Sequence, residues 1–131
     1  MNPVVHFEMP CDDSARMARF FEAAFGWLTQ VLGAEMGGCV TAATSPPGAD
    51  GRPQVPGAIN GGFFPRKADW PAQVPSVVIA VDDIQAAMRQ VATAGGSVLG
   101  EPMAIPDIGQ YVSFMDTEQN RVSLLQPLPR G

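Results

Sequence analysis

Apolar positions recur along the chain with two different periods, one typical of helices and one typical of strands. In "DDSARMARFFEAAFG" the apolar residues follow the i, i+3, i+4, i+7 spacing of an amphipathic helix. Asp13 stands where an N-cap side chain accepts an amide hydrogen bond, and Gly26 stands where a left-handed C-terminal residue is needed. The pattern predicts a helix between these two residues.

The same pattern returns seventy residues later in "DDIQAAMRQVATAGG". The shift of 70 aligns five identical pairs in fifteen positions, which are Asp12 with Asp82, Asp13 with Asp83, Arg19 with Arg89, Ala24 with Ala94 and Gly26 with Gly96. Self-similarity at a fixed spacing indicates an internal repeat. The chain therefore carries one structural unit twice.

Each predicted helix lies between strand-like runs. "VVHFEM" precedes the first helix and "WLTQVL", "GCVTAAT" and "AINGGFF" follow it; "PSVVIAV" precedes the second, and "SVLGE", "QYVSFM" and "RVSLLQ" follow. We predict an α+β fold, in which two tandem β-α-β-β-β modules form a curved mixed sheet around a cleft. Residues 1–131 would form a single domain, with module one at about 1–70 and module two at about 71–131.

A stretch rich in proline and glycine interrupts the first module. "SPPGADGRPQVPG", residues 45–57, contains four prolines and three glycines and does not fit a helix or strand. A loop of this length in a compact domain is either a flexible insertion or a cover for a binding site. The sequence leaves both interpretations open.

The only histidine of the chain lies in the first predicted strand. Side chains alternate between the two faces of a strand, so Val5, Phe7 and Met9 are expected to pack on the helix. His6 and Glu8 then point to the opposite face. This pair of polar side chains is the first candidate for a functional site.

The second module places a serine at the position that corresponds to His6. Ile79 and Val81 are expected to face the second helix, and Ser76 then faces away from it. If the two sheets curve together, His6, Glu8 and Ser76 line one cleft. A lone histidine in a strand is nevertheless often a structural residue that is held by hydrogen bonds.

Composition limits the classes of partner. Hydrophobic residues make up 46% of the chain and charged residues 16%, which suits a globular domain with one core. The net charge is −5 and the eight basic side chains are scattered, so no nucleic-acid partner is expected. No run reaches the roughly 20 apolar residues that span a bilayer. The N-terminus lacks a secretory signal, and the two cysteines have no zinc-site spacing, so we expect a cytoplasmic protein with reduced thiols.

The segments "HFEMPCDDSARMARFFEAAFGW", "VIAVDDIQAAMRQVATAGG" and "SFMDTEQNRVSLLQ" resemble the vicinal oxygen chelate superfamily, the glyoxalases, bleomycin-resistance proteins and extradiol dioxygenases. Members with metal chemistry hold a divalent ion with four side chains. The resemblance places these four positions at His6, near Gly61 or Gly62, at Ser76 and at Ser123. Only the first offers a usual metal donor, because serine hydroxyls bind divalent ions poorly.

We therefore expect a protein that binds a small molecule in the cleft between its modules, as a homodimer like similar drug-binding proteins, with no metal and no other cofactor. The residues expected in the site are His6 and Glu8 as the catalytic or orienting pair and, as ligand-binding residues, Trp27, Phe63, Ser76, Tyr111, Ser113 and Ser123. Trp27 fits the core equally well, and the last three fit either a cleft or the surface.

Two enzymatic alternatives and one structural alternative stay open. A metal-dependent lyase or dioxygenase would recruit its ion through His6 and Glu8. A metal-independent isomerase or hydrolase would use His6 as a general base, which its ordinary pKa near 6.5 permits. The third alternative is a structural or regulatory partner protein whose loop at residues 45–57 is an interaction segment.

Overall fold

The computed structural model describes residues 1–33, 37–50 and 52–129. The elements are β1 (Val4–Cys11), α1 (Ser14–Phe25), β2 (Leu28–Val31), β3 (Val40–Ala43), β4 (Asn60–Pro65), β5 (Ser76–Ala80), α2 (Ile84–Thr93), β6 (Ser97–Ile105), β7 (Gly109–Met115) and β8 (Arg121–Pro127). This is the predicted order, β-α-β-β-β twice, and the α+β class is confirmed. The chain falls into two compact units: the first unit is His6–Pro75, and the second unit is Met1–Val5 with the residues from Ser76 onward.

The first unit has the strand order β2-β3-β4-β1. β1 runs parallel to β4 with His6 opposite Asn60, while β3 is antiparallel to both β2 and β4. The core lies between this sheet and α1, where Phe7 and Met9 pack with Ala18 and Phe63. The alternation predicted for β1 is therefore confirmed for Phe7 and Met9, whereas Val5, the third residue expected on the helix, is 38% exposed and lies outside this core.

Local signals at both ends explain why α1 forms where it does. The Asp13 side chain accepts a hydrogen bond from the amide of Arg16 at 3.0 Å, as an N-cap does. Gly26 ends the helix with φ 73°, a left-handed conformation that costs glycine little. Both ends agree with the sequence prediction.

The second unit has the strand order β5-β8-β7-β6. β5 is parallel to β8, and β7 is antiparallel to β8 and to β6. Its core repeats the design of the first unit, with Ile79 and Val81 of β5 packed against Ile84 and Ala87 of α2. The repeat detected in the sequence is thus a repeat of strand, helix and core.

The two helices differ at their C-terminal ends. α2 ends at Thr93, and the left-handed residue that follows is Gly95, with φ 107°. The shift of 70 had paired Gly26 with Gly96, one residue further on. Gly96 serves packing instead, since an added Cβ there would lie 2.8 Å from the carbonyl oxygen of Met115.

The segment at residues 45–57 forms no helix or strand in its described part. A single antiparallel bridge joins Pro47 to Pro53, and the amide of Gly48 donates to the carbonyl of Arg52 at 2.7 Å. Its role as a cover or an insertion stays a prediction. In the part of the chain that the structure describes, neither helix is long and apolar enough to cross a membrane.

Candidate functional site

His6 and Glu8 sit on β1 next to the two glycines of β4. In the register, Phe7 pairs with Gly61 and Glu8 pairs with Gly62. Because Phe7 packs into the core with α1, its two neighbours on the strand face the other way. The pair singled out from the sequence therefore lies on the face of the first unit that carries no helix.

The two glycines have different roles, which the sequence could not separate. A methyl group on Gly61 would overlap the ring of Phe7, so Gly61 provides the space in which that ring lies. A methyl group on Gly62 would lie 3.8 Å from Nε2 of His6 and 3.1 Å from the carbonyl oxygen of Val40. Gly62 is therefore the glycine beside the imidazole, and it contributes no side chain there.

The environment of His6 favours its neutral form. Burial lowers the pKa of His6 below its ordinary value, and the negative charge of Glu8 offsets part of this effect. A neutral imidazole has one donor nitrogen and one acceptor nitrogen. At neutral pH His6 can therefore accept a proton or a hydrogen bond.

An NMR titration of the single histidine tests this directly. We expect a midpoint below the ordinary 6.5, and a further decrease in Glu8→Gln because the charge that raises the pKa is removed. Glu118→Gln, an exposed change in the β7–β8 turn, should leave the midpoint unchanged. The sign for stability follows: because the unfolded chain takes up the proton first, the free energy of unfolding falls as pH drops from 6.5 to the folded pKa. A midpoint above 6.5 would contradict the assignment.

The second unit gathers three hydroxyl groups on the face of its sheet that carries no helix. The hydroxyl of Ser123 hydrogen-bonds with the Tyr111 hydroxyl at 2.8 Å and with the Ser113 hydroxyl at 2.9 Å. The register explains the cluster, since Ser113 is directly opposite Ser123 and Val112 beside it packs on α2. We call Tyr111, Ser113 and Ser123 the hydroxyl cluster.

Ser76 lies on the same face, at the start of β5. Its hydroxyl oxygen is buried and makes no hydrogen bond within the part of the chain that the structure describes. β5 pairs with β8 so that Val78 is opposite Ser123. Ser76 is therefore two residues along β5 from the hydroxyl cluster.

Arg121 is a further buried polar residue on this face, and sequence analysis had counted it among the scattered basic residues. It begins β8, two residues before Ser123, and only 3% of it is exposed. Charged residues are seldom buried to this extent. The sequence signal for this burial was the spacing of two residues between Arg121 and Ser123, which puts both on the same face of an apolar strand.

Trp27 and Phe63 belong to the core of the first unit. Phe63 is 1% exposed, and its ring centroid lies 5.4 Å from that of Phe21 on α1. Trp27 stacks on Phe21 with ring centroids 4.6 Å apart. Both aromatic residues lie on the helix side of the sheet, whereas His6 and Glu8 face the other side, so we leave the two aromatic residues out of the proposed site.

The cysteines show no sign of an activated nucleophile. Cys11 and Cys39 are free thiols, and burial is the main cause that raises the pKa of each. A thiol with a raised pKa carries less of the reactive thiolate at neutral pH. The described residues thus leave His6 and Glu8 as the titratable pair of interest.

The four positions that the resemblance assigned to a metal do not fit a divalent ion. His6 supplies one nitrogen and Gly62 supplies no side chain. Ser76 supplies one neutral hydroxyl, and the hydroxyl of Ser123 is held by Tyr111 and Ser113. Among the described residues, no three His, Cys, Asp or Glu side chains are grouped so that they could share an ion. Neutral hydroxyls do not replace the carboxylates and imidazoles that such ions require.

Comparison with known proteins defines the family. Residues 4–124 match the model of the Glyoxalase/Bleomycin resistance protein/Dioxygenase superfamily. The chain belongs to this superfamily. The resemblance inferred from the sequence is thereby confirmed over nearly the whole chain.

Individual relatives are more distant. The chain is 32% identical over 97 residues to a putative glyoxylase, CFP32, of Mycobacterium bovis, and the match covers 74% of this chain but 28% of that protein. The chain thus spans little more than a quarter of that relative.

Two solved structures show that the fold is shared. Methylmalonyl-CoA epimerase of Mycobacterium tuberculosis has a TM-score of 0.68 at 13% identity, covering 96% of this chain and 88% of that one. A superfamily member of Vibrio splendidus 12B01 has a TM-score of 0.62 at 14% identity, covering 96% and 99%.

Proposed function

We propose that the protein binds a small molecule through the polar residues that face away from its two helices, without a tightly held metal ion. The observation that carries this proposal is the chemistry of the four positions that the resemblance assigned to a metal. Ser76 and Ser123 offer hydroxyls that form hydrogen bonds, Gly62 offers no side chain, and only His6 offers a usual metal ligand. Gly62 places no side chain against Nε2 of His6. The superfamily includes proteins named for bleomycin resistance, which supports the class of function.

Within this proposal the polar residues orient the ligand. The neutral imidazole of His6 accepts or donates one hydrogen bond, and the carboxylate of Glu8 accepts several. Tyr111, Ser113, Ser123 and Ser76 supply hydroxyls that can do both. Whether His6 and Glu8 serve the same ligand as these hydroxyls, in the single cleft expected from the sequence, stays a prediction.

A second candidate is a metal-independent enzyme in which His6 is the general base. The lowered pKa of His6 favours it, because a base must be unprotonated at the working pH. The fold neighbours named methylmalonyl-CoA epimerase make an enzyme a reasonable alternative. A metal-dependent lyase or dioxygenase would need metal ligands in addition to the four positions that the resemblance assigned to a metal.

Metal addition tests the main proposal first. We expect zinc, nickel, manganese or iron(II) to leave the thermal midpoint unchanged, and protein purified without chelators to contain much less than one equivalent of metal. A bound ion at a hundredfold excess over Kd would instead stabilise the fold by about 2.7 kcal/mol. One equivalent of metal that is lost in His6→Ala would overturn the metal-free proposal.

A ligand screen tests binding itself. Compounds that raise the thermal midpoint are expected to bind more weakly to Glu8→Gln than to the wild type, whereas Glu118→Gln should bind them as the wild type does. Hits that are all indifferent to Glu8→Gln would contradict the orienting role of this carboxylate. A homodimer and a cytoplasmic location stay predictions that these experiments do not address.

A further inference from the structure

We propose that the side-chain amide of Asn60 and the imidazole of His6 together recognise a carbonyl group with a neighbouring N–H, as in an amide or lactam ligand. This inference rests on the proposed binding function, and it adds one ligand-contact residue and the chemical class of the ligand. It concerns the first unit alone. Asn60 is not among the site residues that the sequence predicted.

The strand register places Asn60 beside His6. Asn60 begins β4, and the parallel register sets it directly opposite His6 on β1. Paired strands lie about 5 Å apart, and directly paired residues point their side chains to the same face. A methyl group on Gly61, the next residue, would overlap the ring of Phe7 in the core, so Asn60 faces away from α1. The two polar side chains are therefore neighbours on the face that carries no helix.

A hydrogen bond from the main chain fixes the orientation of the Asn60 amide. The amide of Thr44 donates to Oδ1 of Asn60 at 3.2 Å, and the Thr44 hydroxyl donates to the carbonyl oxygen of Ile59 at 2.7 Å. A backbone N–H can only donate, so the side-chain atom that it meets must be the oxygen. The amino group of Asn60, with its two donors, is therefore the branch that Thr44 does not hold.

Both groups can reach a ligand from solvent. His6 and Asn60 are half-buried, so part of each residue contacts water. Burial and the charge of Glu8 are the causes that shift the pKa of His6, and no hydrogen bond to the ring is among them. Within the described residues the Asn60 side chain is held through its oxygen, which leaves the two N–H donors for a ligand.

The nearest residues of β3 and β4 on this face are small. Gly62, two residues along β4, has no side chain, and Nε2 of His6 lies 3.8 Å from where its Cβ would be. Continuing the antiparallel register of β3 and β4 by one residue sets Ala43 opposite Asn60. Neither neighbour places a long side chain over the pair.

The two groups are complementary to an amide. The amino group of Asn60 donates to a carbonyl oxygen, and a neutral imidazole accepts from an N–H through its unprotonated nitrogen. Burial keeps His6 in this neutral form at neutral pH because it lowers the pKa of the imidazole. A neutral donor beside a neutral acceptor favours an uncharged polar ligand, because such a ligand leaves neither group without a partner.

The test compares two neutral probes, the lactam pyrrolidone and its N-methyl derivative, which lacks the N–H. Binding is followed by chemical shift changes of backbone amides at increasing probe concentration and at pH above the His6 midpoint. We expect pyrrolidone to bind about fivefold more tightly, the worth of one hydrogen bond, with the largest changes at His6, Asn60 and Gly62. This comparison uses the wild-type protein and does not depend on the folding of any variant.

Two substitutions then assign the two hydrogen bonds. Asn60→Asp keeps an oxygen for the Thr44 amide but replaces the donor with an acceptor, so it is expected to weaken both probes about fivefold or more. His6→Phe keeps a planar ring without nitrogen and should remove the preference for pyrrolidone. Asn2→Asp makes the same chemical change at an exposed residue and should leave both probes unaffected. Thermal unfolding shows whether each variant is folded at the temperature of the titration.

The outcomes separate the inference from the function on which it rests. Equal binding of the two probes to the wild type, or binding that Asn60→Asp leaves intact, would overturn the amide site while small-molecule binding stands. Absence of pyrrolidone binding would overturn it as well, even if compounds from the ligand screen bind. Failure of both probes and of every screened compound would overturn the proposed function itself.

Discussion

Replacing Phe63 with alanine is expected to lower the free energy of unfolding by about 3–5 kcal/mol, the usual cost of removing a buried aromatic ring. Phe63 is 1% exposed and packs against Phe21 of α1 and against Trp27, which follows the helix. The deletion removes apolar contacts and leaves a cavity between β4 and α1 that the neighbouring rings fill only in part. Denaturant unfolding followed by circular dichroism measures the loss.

A matched substitution on the same unit provides the control. Phe20 of α1 is 59% exposed, so Phe20→Ala is expected to cost about 1 kcal/mol or less, since surface changes have small effects. Comparable losses for the two variants would contradict the core position of Phe63. Phe63→Leu keeps most of the volume and is expected to fold, which allows ligand binding to be measured in a stable protein.

The Phe63→Leu variant also tests whether Phe63 belongs to the ligand site. Phe63 was predicted from the sequence as a ligand-binding residue, while its packing in the structure is on the helix side of the sheet. Because Phe63 packs on the helix side, Phe63→Leu should bind the hits of the ligand screen as the wild type does. A selective loss of binding in Phe63→Leu, without loss of stability, would return this residue to the site.

Replacing Gly61 with alanine is expected to cost about 1–3 kcal/mol, the typical penalty of overpacking a core. The added methyl group would overlap the ring of Phe7, which is itself held against Trp27 at a centroid distance of 5.5 Å. The ring cannot move away without disturbing the packing between β1 and α1. The loss arises from one contact across two paired strands.

A double-mutant cycle isolates that contact. In a Phe7→Leu background the methyl group on Gly61 meets a smaller side chain, so the cost of Gly61→Ala should be clearly smaller than in the wild type. Gly62→Ala is the matched control, and its cost should be the same in both backgrounds. The atoms nearest to its added methyl group are the Val40 carbonyl oxygen at 3.1 Å and Nε2 of His6 at 3.8 Å, not the ring of Phe7. Equal costs of Gly61→Ala in both backgrounds would contradict the position of the ring.

The different roles of Gly61 and Gly62 could not be predicted from the sequence. Both glycines lie in "AINGGFF", and the resemblance placed the second metal-ligand position near one or the other of them. Only the pairing of Phe7 with Gly61 and of Glu8 with Gly62 assigns the first glycine to the core and the second to His6. A shift of one residue in this register would exchange the two roles, because neighbouring residues in a strand face opposite sides.

Arg121 illustrates the same limit for a charged residue. Its position in "NRVSLLQ" indicates the side of the strand, but its burial depends on what packs over that side. The hydroxyl cluster likewise joins β7 to β8, and its hydrogen bonds exist because Ser113 and Ser123 are directly opposite. Neither feature follows from the periodicity of one strand.

The sequence by itself determined the local and repeated parts of this protein. Helix caps at Asp13 and Asp83, the apolar stripes and the strand-like runs predicted the described helices and strands in order, because these signals act over a few neighbouring residues. The seventy-residue repeat predicted that the same unit occurs twice. Tertiary structure alone decided which glycine adjoins His6, where Arg121 is buried and which aromatic residues belong to the core. These features depend on strand register and on contacts between residues far apart in the chain, which local patterns do not encode.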